Sequence, residues 1–251
     1  MADLYKEMGS NQLYTEQPQD HRQTAMAHAP IAKASKQAAF RQANDHGKTV
    51  YEGEARNLAD ACGSLEELRK AVMAFDGCEI KKMAVNTVFA DGNPKAEVML
   101  VGEAPGANED QQGIPFCGQS GKLLDNILAS IGLSRQNAYI TNTIFWRPPG
   151  NRRPTPEELR ICRPFVEKHI ALVGPKLIIL VGSTAVEALL ENTMSMHEMR
   201  GQYYTYHNRY LKQPIQTAVI FHPSYLLRQQ SKKKEMWLDV QKIKYELLNN
   251  K

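Results

Sequence analysis

Four short apolar runs recur between residues 98 and 221 of the chain. They are VMLV (98–101), AYIT (138–141), LIILV (177–181) and AVIF (218–221). The runs are almost continuously apolar, a pattern typical of strands whose two faces are both buried in a sheet. The sequence therefore predicts four strands of a mainly parallel sheet.

Amphipathic helices are predicted between and around these runs. Apolar residues recur at helical spacing in segments 63–77, 121–132, 155–174, 183–192 and 232–248. Thr155 is expected to cap the third helix, and Pro164 within that helix predicts a kink or an interruption. In the last helix the predicted apolar stripe includes Trp237. Strands that alternate with helices at this spacing predict an α/β sandwich.

The first 60 residues have a different composition from the rest of the chain. They are rich in Gln, Ala, His, Asp and Lys and lack clusters of large apolar side chains. Such a segment cannot bury enough apolar surface to fold alone. We expect residues 1–60 to form a flexible or partly helical extension with solvated histidines (His21, His28 and His46), and residues 61–251 to form one domain.

Composition and charge narrow the function only slightly. The net charge of +4 permits a polyanionic partner but does not require one. No apolar run approaches the ~20 residues of a membrane-spanning helix, and the first residues lack the apolar core of a secretory signal, so we expect a cytoplasmic protein. The four cysteines form no CxxC pair, which argues against a zinc site or a disulfide framework.

Residues capable of chemistry follow each predicted strand. The loop GEAPGANED follows the first run, Asn142 the second, Gly182 and Ser183 the third, and His222 the fourth. In parallel α/β sheets, ligands collect beyond the carboxyl ends of the strands. We therefore expect these groups to converge on one site.

The chemistry of these groups suits hydrolysis of an N-glycosidic bond to a nucleobase. A carboxylate such as Glu109 can orient a water, Asn142 can read the edge of a planar ligand, and His222 can stabilise a developing anion. Phe116 can stack on a planar ring. A metallohydrolase would need more ligands than one histidine, and the GxSxG motif of serine hydrolases is absent.

Each of these residues also has a structural interpretation. Glu109 suits the first turn of a helix, where the helix dipole favours a carboxylate. Asn142 is also a common turn former, and Phe116 is equally suited to a core position. The pattern alone leaves both interpretations open.

Three motifs in one order resemble the type-4 (family 4) uracil-DNA glycosylases. They are VGEAPGANEDQQGIPFCGQSGKLL, ITNTIFWRPPGNRRPTPEE and FHPSYLLR, and the resemblance extends from about residue 70 to the last residues of the chain. It implies a three-layer α/β/α sandwich around a mainly parallel four-stranded sheet. It also implies a DNA repair hydrolase that flips uracil out of DNA and cleaves its N-glycosidic bond. We expect a monomer that acts on uracil-containing DNA.

The resemblance assigns roles to individual residues. Glu109 matches the residue that positions the attacking water, and His222 matches the histidine near uracil O2. Phe116 matches the aromatic that stacks on the flipped uracil, and Asn142 matches the asparagine that reads its edge. The remaining uracil-pocket positions are Gly102, Glu103 and Ala104. The DNA-contact positions are Arg147, Pro223, Ser224 and the wedge candidates Leu226, Leu227 and Arg228, with Arg152, Arg153 and Lys232–Lys234 as further phosphate contacts.

The resemblance also implies a [4Fe-4S] cluster on four cysteines, from which this chain departs. Cys78 and Cys162 match two of the ligand positions, whereas Phe75 and Trp146 occupy the other two. Two thiolates do not hold a cubane cluster stably. We therefore expect no cluster, with the two aromatic rings packed in its place. The loop RPPGNRRPTPEE contains no histidine, which favours turnover over covalent trapping of uracil.

Two other functions remain open from the sequence. One is a glycosylase of broader specificity, acting on hypoxanthine or mismatched thymine. The other is a catalytically silent module that binds damaged DNA, against which Glu109, Asn142 and His222 all argue.

Overall fold

A mixed sheet of six strands lies at the centre of the computed structural model, which describes residues 50–248. In chain order the strands are β1 (Asp91–Gly92), β2 (Val98–Gly102), β3 (Ala138–Asn142), β4 (Leu177–Val181), β5 (Tyr203–Tyr206) and β6 (Ile215–Ile220). Their order across the sheet is β1-β3-β2-β4-β6-β5.

The four predicted apolar runs form the parallel centre of this sheet. Strands β3, β2, β4 and β6 pair in parallel, and β1 and β5 flank them as antiparallel edges. The prediction of four strands was therefore wrong in number. The two edge strands escaped notice because β1 has only two residues and β5 is half-exposed instead of buried on both faces.

Helices cover both faces of the sheet. The α-helices are α1 (50–61), α2 (Leu65–Ala74), α3 (Ala107–Gln112), α4 (Gln119–Ser130), α5 (Pro156–Val173), α6 (Ser183–Leu190), α7 (Met196–Met199), α8 (Pro223–Arg228) and α9 (Lys233–Ile243). Short 3-10 turns lie at Glu79–Met83, Pro149–Asn151 and Gln230–Lys232, and a π-helical turn follows α9 at Lys244–Leu248.

Each face of the sheet carries its own hydrophobic core. Met99 and Val101 of β2 point to one face, where they pack in a cluster with α1, α2, α5 and α6. Val98 and Leu100 point to the other face, where α4, α8 and α9 complete the second cluster. This alternation along a strand buried on both sides confirms the predicted α/β/α sandwich.

Helix α5 begins as predicted but continues through its proline. The Thr155 hydroxyl accepts from the Glu158 amide at 3.2 Å, and the Glu158 carboxylate accepts from the Thr155 amide at 2.8 Å. The helix then runs from Pro156 to Val173 with Pro164 inside it, so the expected interruption is absent. One missing amide is tolerated because the flanking side chains, such as Phe165, are fully buried.

The face of α9 that is buried differs from the predicted apolar stripe. Trp237 is 52% exposed, whereas Met236, Val240 and Ile243 are buried. The buried face also includes Asp239, whose carboxylate is paired with a guanidinium described below. Because the inward face includes a charged residue, the apolar periodicity of the sequence did not identify it.

Helix α1 crosses the boundary that was predicted at residue 60. Its Ala55 and Ala59 are buried in the first core cluster. The rest of the predicted extension, including its three histidines, lies outside the described residues. Among the helices that are described, none has the length and apolarity to cross a membrane.

Candidate active site

A cavity of about 850 Å³ opens at the carboxyl ends of the parallel strands. Its wall includes Glu109 after β2, Asn142 at the end of β3, Ser183 after β4 and His222 after β6. Phe116, from the loop between α3 and α4, completes this group. The structure thus brings together the strand-end residues that the sequence singled out.

Asn142 presents an unused hydrogen-bond acceptor at the floor of the cavity. The residue is 1% exposed, and its amide oxygen Oδ1 is buried without a partner in the described part of the chain. A Cβ atom at position 102 would lie 2.5 Å from this oxygen, so only glycine at that position leaves room for the Asn142 side chain. Because an unsatisfied buried acceptor is costly, the floor is suited to a ligand that carries an N–H donor.

Phe116 forms a wall beside this acceptor in a strained backbone conformation. Its φ of 53° is positive, which costs a non-glycine residue roughly 1–3 kcal/mol. Arg135 holds the conformation, since its guanidinium donates to the carbonyls of Phe116 at 2.6 Å and Pro115 at 3.0 Å. At Gly121, any Cβ would clash with the Phe116 carbonyl. Neither Arg135 nor Gly121 was identified from the sequence.

His222 is a neutral donor at the opposite side of the cavity. Desolvation and, to a smaller extent, the Arg228 cation lower the pKa of the ring to about 4 against the opposing effect of Glu109. The Ser224 amide donates to Nδ1 at 3.2 Å. Because that amide can only donate, Nδ1 is the acceptor and the proton of the neutral ring lies on Nε2. The ring centroid lies 5.6 Å from that of Phe116.

Glu109 lines the cavity and also caps α3. One carboxylate oxygen accepts from the Gly106 amide at 3.0 Å, and the other accepts from the Gly118 amide at 2.9 Å. The structural interpretation from the sequence is therefore confirmed, and the same side chain also lies on the cavity wall. The Cys117 thiol also donates to the oxygen that Gly118 contacts, at 3.8 Å, whereas the oxygen bound to the Gly106 amide retains a lone pair that can accept from a water in the cavity.

Glu103 is anchored by hydrogen bonds that the sequence did not suggest. The buried Thr184 hydroxyl donates to its carboxylate at 2.5 Å, and Arg153 donates to that hydroxyl at 3.0 Å. The Thr143 hydroxyl donates to the Glu103 carbonyl at 2.6 Å. The backbone of Glu103 and Ala104 therefore reaches the cavity wall from a fixed position.

The predicted wedge is smaller than expected. Leu226 is buried in the second core cluster, so its assignment as a wedge is wrong. The helical turn of α8 directs Leu226 and Pro223 inward and leaves Leu227 and Arg228 exposed at the cavity rim.

Two of the arginines predicted to contact phosphate are already paired with acids. Arg152 donates twice to Glu158, at 2.9 and 2.6 Å, and Arg153 pairs with Glu187 at 2.6 Å. The two guanidinium groups therefore connect the 147–153 loop to α5 and α6 through ion pairs. Arg147, by contrast, donates to the neutral amide oxygen of Asn151 at 2.7 Å.

The four positions implied for an iron–sulfur cluster contain two thiols and two aromatic rings. Cys78 and Cys162 are fully buried, and their mutual hydrogen bond, together with burial, raises the pKa of Cys162. Phe75 packs edge-on against Phe165 at 5.2 Å. Trp146 is 1% exposed in the same core cluster. No group of three or more His, Cys, Asp or Glu side chains in the described chain could hold a metal ion, so these residues do not fit a four-thiolate cluster.

The fold and the site together define an α/β protein whose cavity at the strand ends is suited to a planar, hydrogen-bonding ligand. Residues 89–241 match the Uracil DNA glycosylase superfamily. Similar proteins include the Type-4 uracil-DNA glycosylase of Archaeoglobus fulgidus, 37% identical over 72% of this chain and 92% of that protein. The enzymes of the same name from Sulfurisphaera tokodaii and Thermotoga maritima are each 36% identical, over 84% and 85% of their lengths and 72% and 66% of this chain. The chain belongs to the uracil DNA glycosylase superfamily and, within it, to the type-4 family.

Proposed function

We propose that this protein excises uracil from DNA by hydrolysing the N-glycosidic bond, leaving an abasic site. The observation that carries the proposal is the buried, unpartnered Oδ1 of Asn142 beside the ring of Phe116. Uracil offers an N3–H donor to this oxygen and an O4 acceptor to the amide nitrogen of the same side chain. Cytosine presents a lone pair at ring position 3, which the amide oxygen would repel.

The cleavage step is dissociative in this proposal. The flipped uracil leaves as an anion, and the Nε2–H of His222 donates to its O2 as negative charge develops there. The sugar becomes oxocarbenium-like, and a water held by Glu109 adds to it. Loss of one such donor raises the barrier by about 2.7–4 kcal/mol, by analogy with oxyanion-hole deletions.

The rim of the cavity supplies the contacts that base flipping requires. Leu227 enters the space left by the extruded uracil, and Arg228 beside it contacts the DNA backbone. Both side chains are exposed at the rim, which supports these roles. The protein acts as a monomer on one uracil-containing strand.

We also propose that the active protein lacks an iron–sulfur cluster. The buried rings of Phe75 and Trp146 support this, since they stand at two of the four ligand positions that the family resemblance implies. Purified protein should show no broad absorbance near 400 nm. A brown protein with about four irons per chain would overturn the proposal.

The function is tested with two variants and a matched control. Asn142→Ala and His222→Ala should each lose about 10²–10³-fold in the single-turnover rate of uracil excision while duplex affinity is kept. The control His207→Ala, at an exposed position that does not line the cavity, should match wild type. Oligonucleotides containing hypoxanthine or a G:T pair test the broader specificity. Unchanged rates in both variants would refute the assigned roles, and DNA binding without any excision would leave a silent binding module.

A further inference from the structure

The cavity extends beyond the place where uracil would lie. Its volume of about 850 Å³ falls in the range of roughly 300–1,000 Å³ that holds drug-sized ligands, which exceeds a single pyrimidine. Uracil in the proposed site lies between Asn142 and His222. Helix α7 contributes Met196 and His197 to the wall on the β6 side, beyond the ring of Phe221.

This outer wall is aromatic and continuous with the uracil site. The exposed ring of His197 packs edge-on against Phe221, with centroids 5.5 Å apart and an interplanar angle of 74°. Phe221 in turn lies 5.1 Å from Tyr225, which also lines the cavity. Aromatic and imidazole rings of this kind are the surfaces on which nucleic-acid bases stack, since every base has a π-face.

The wall is held in position before any ligand binds. Arg200, directly after α7, donates to the two carboxylate oxygens of Asp239 at 2.8 Å each and to the Glu235 carbonyl at 2.8 Å. Its guanidinium also lies 5.3 Å from the Phe221 ring centroid. At the other end of α7, the Ser195 amide donates to Glu198 at 3.0 Å. The Arg200 bonds connect the end of α7 to α9 and the Ser195 bond caps the start of α7, so binding a base here would require little ordering of the protein.

We infer that His197, with Met196 and Tyr225, forms a stacking subsite for the base adjacent to the flipped uracil on the same strand. The inference rests on the proposed function. The adjoining nucleotide is one phosphodiester away from the flipped one, so it reaches the rim where Leu227 and Arg228 are exposed. Such a subsite favours strands whose neighbouring base can leave its own stack.

The experiment removes the neighbouring base and the histidine separately and together. Uracil-containing single strands are compared with strands that carry an abasic spacer on the 5′ or on the 3′ side of uracil. On the intact strand, His197→Ala should lower kcat/KM about tenfold, the scale of one lost base–aromatic stack. When the spacer replaces the base that occupies the subsite, the kcat/KM of wild type should fall by a similar factor. The kcat/KM of His197→Ala should then fall no further. His197→Phe should retain the wild-type value, and His207→Ala serves as the control for loss of an exposed histidine.

The two proposals fail in different ways. The subsite is overturned if His197→Ala has the same kcat/KM as wild type on the intact strand. It is also overturned if His197→Ala remains below wild type by the same factor with both the 5′ and the 3′ spacer. The proposed function fails if wild type excises uracil from none of the strands. Fluorescence anisotropy on the same strands still tests the subsite in that case, because the same pattern is then expected in the dissociation constants.

Discussion

Three acidic residues follow β2, and each does something different. Glu103 is bound by the Thr184 hydroxyl at 2.5 Å. Asp110 is buried away from the cavity wall and accepts from the amides of Val85 and Asn86 at 2.9 and 3.1 Å. Glu109 alone of the three combines a place on the wall with backbone partners that leave one carboxylate oxygen a lone pair for a water.

Glu109→Gln should separate the catalytic part of this residue from its capping part. The amide keeps one acceptor but sets its NH₂ group against a backbone N–H, so stability should fall by about 1–2 kcal/mol. The single-turnover excision rate, measured well below the unfolding transition, should fall by about 10²–10⁴-fold because the water loses its base.

Glu67→Gln is the matched control for the capping part. Glu67 accepts from the Gly63 amide at 2.6 Å at the start of α2, far along the chain from the cavity residues. This variant should lose stability on a similar scale and keep the excision rate. If Glu109→Gln also keeps the rate, Glu109 is a helix cap and not the water-positioning residue.

The site could be predicted from sequence where strand ends carry it. Asn142 and His222 were singled out because buried runs define strands and parallel strands end at one edge, whereas Phe116 was singled out by its aromatic ring and by the family resemblance. Arg135 and Thr184 were not found, since they act on residues 19 and 81 positions away through side chains that no local pattern marks.

Among the secondary-structure elements, the short helices and the edge strands of the sheet were predicted least well. Leu226 and Leu227 look equivalent in PSYLLR, and the six residues of α8 are too few to show which one faces the core. The predicted stripe of α9 included Trp237 and omitted Asp239. Asp239 is buried because it pairs with Arg200, which lies 39 positions away and could not be recognised from the local pattern. The runs β2 and β4 were predicted well because burial on both faces leaves no polar side chain within them, whereas β6 begins three residues before the predicted run because it includes Gln216 and Thr217.

Helices α2 and α5 meet through the aromatic ring that stands at an implied cluster position. Phe75 follows α2, is 2% exposed and lies 5.2 Å from Phe165 of α5. Phe75→Ala should therefore lower the free energy of unfolding by about 3–5 kcal/mol, the cost of a large core cavity. Urea denaturation measures this loss.

Met73→Ala, at the end of α2, is the control for that measurement. Met73 is 52% exposed, so its truncation should change stability by no more than about 0.5 kcal/mol. A loss from Phe75→Ala as small as that from Met73→Ala would contradict the packed aromatic core.

For the whole molecule, buried imidazoles link stability to pH. Burial lowers the pKa of His169 to about 3, and its Nε2 shares a hydrogen bond of 2.9 Å with the Tyr139 hydroxyl. Below the unfolded pKa of about 6.5, the unfolded chain binds a proton that folded His169 does not. The histidine therefore costs no stability above about pH 6.5, and stability is lost as pH falls from there toward about 3, by about 1.4 kcal/mol per pH unit.

His169→Gln should reduce that slope by one proton. Unfolding free energies measured by denaturant at a series of pH values between 4.5 and 6.5 give the slope for each protein. Tyr139→Phe leaves the buried imidazole in place and should keep the wild-type slope. Equal slopes for wild type and His169→Gln would show that His169 is not held neutral by burial.

The sheet joins these scales into one account of the molecule. Its parallel strands place Asn142 and His222 at one edge, with β2 and β4 between them. Helices on both faces bury the strands, and the loops after them close a cavity with an amide acceptor, an aromatic wall and a neutral imidazole donor. That combination is what recognition of uracil and stabilisation of its anion require.

Release of free uracil tests this account most directly. Wild-type protein is incubated with a uracil-containing oligonucleotide and with the same sequence carrying cytosine or thymine, and the freed base and the abasic strand are both quantified. We predict one uracil and one abasic site per uracil-containing strand, and no release from the cytosine strand. Tight binding of the uracil strand without release of the base would contradict the account.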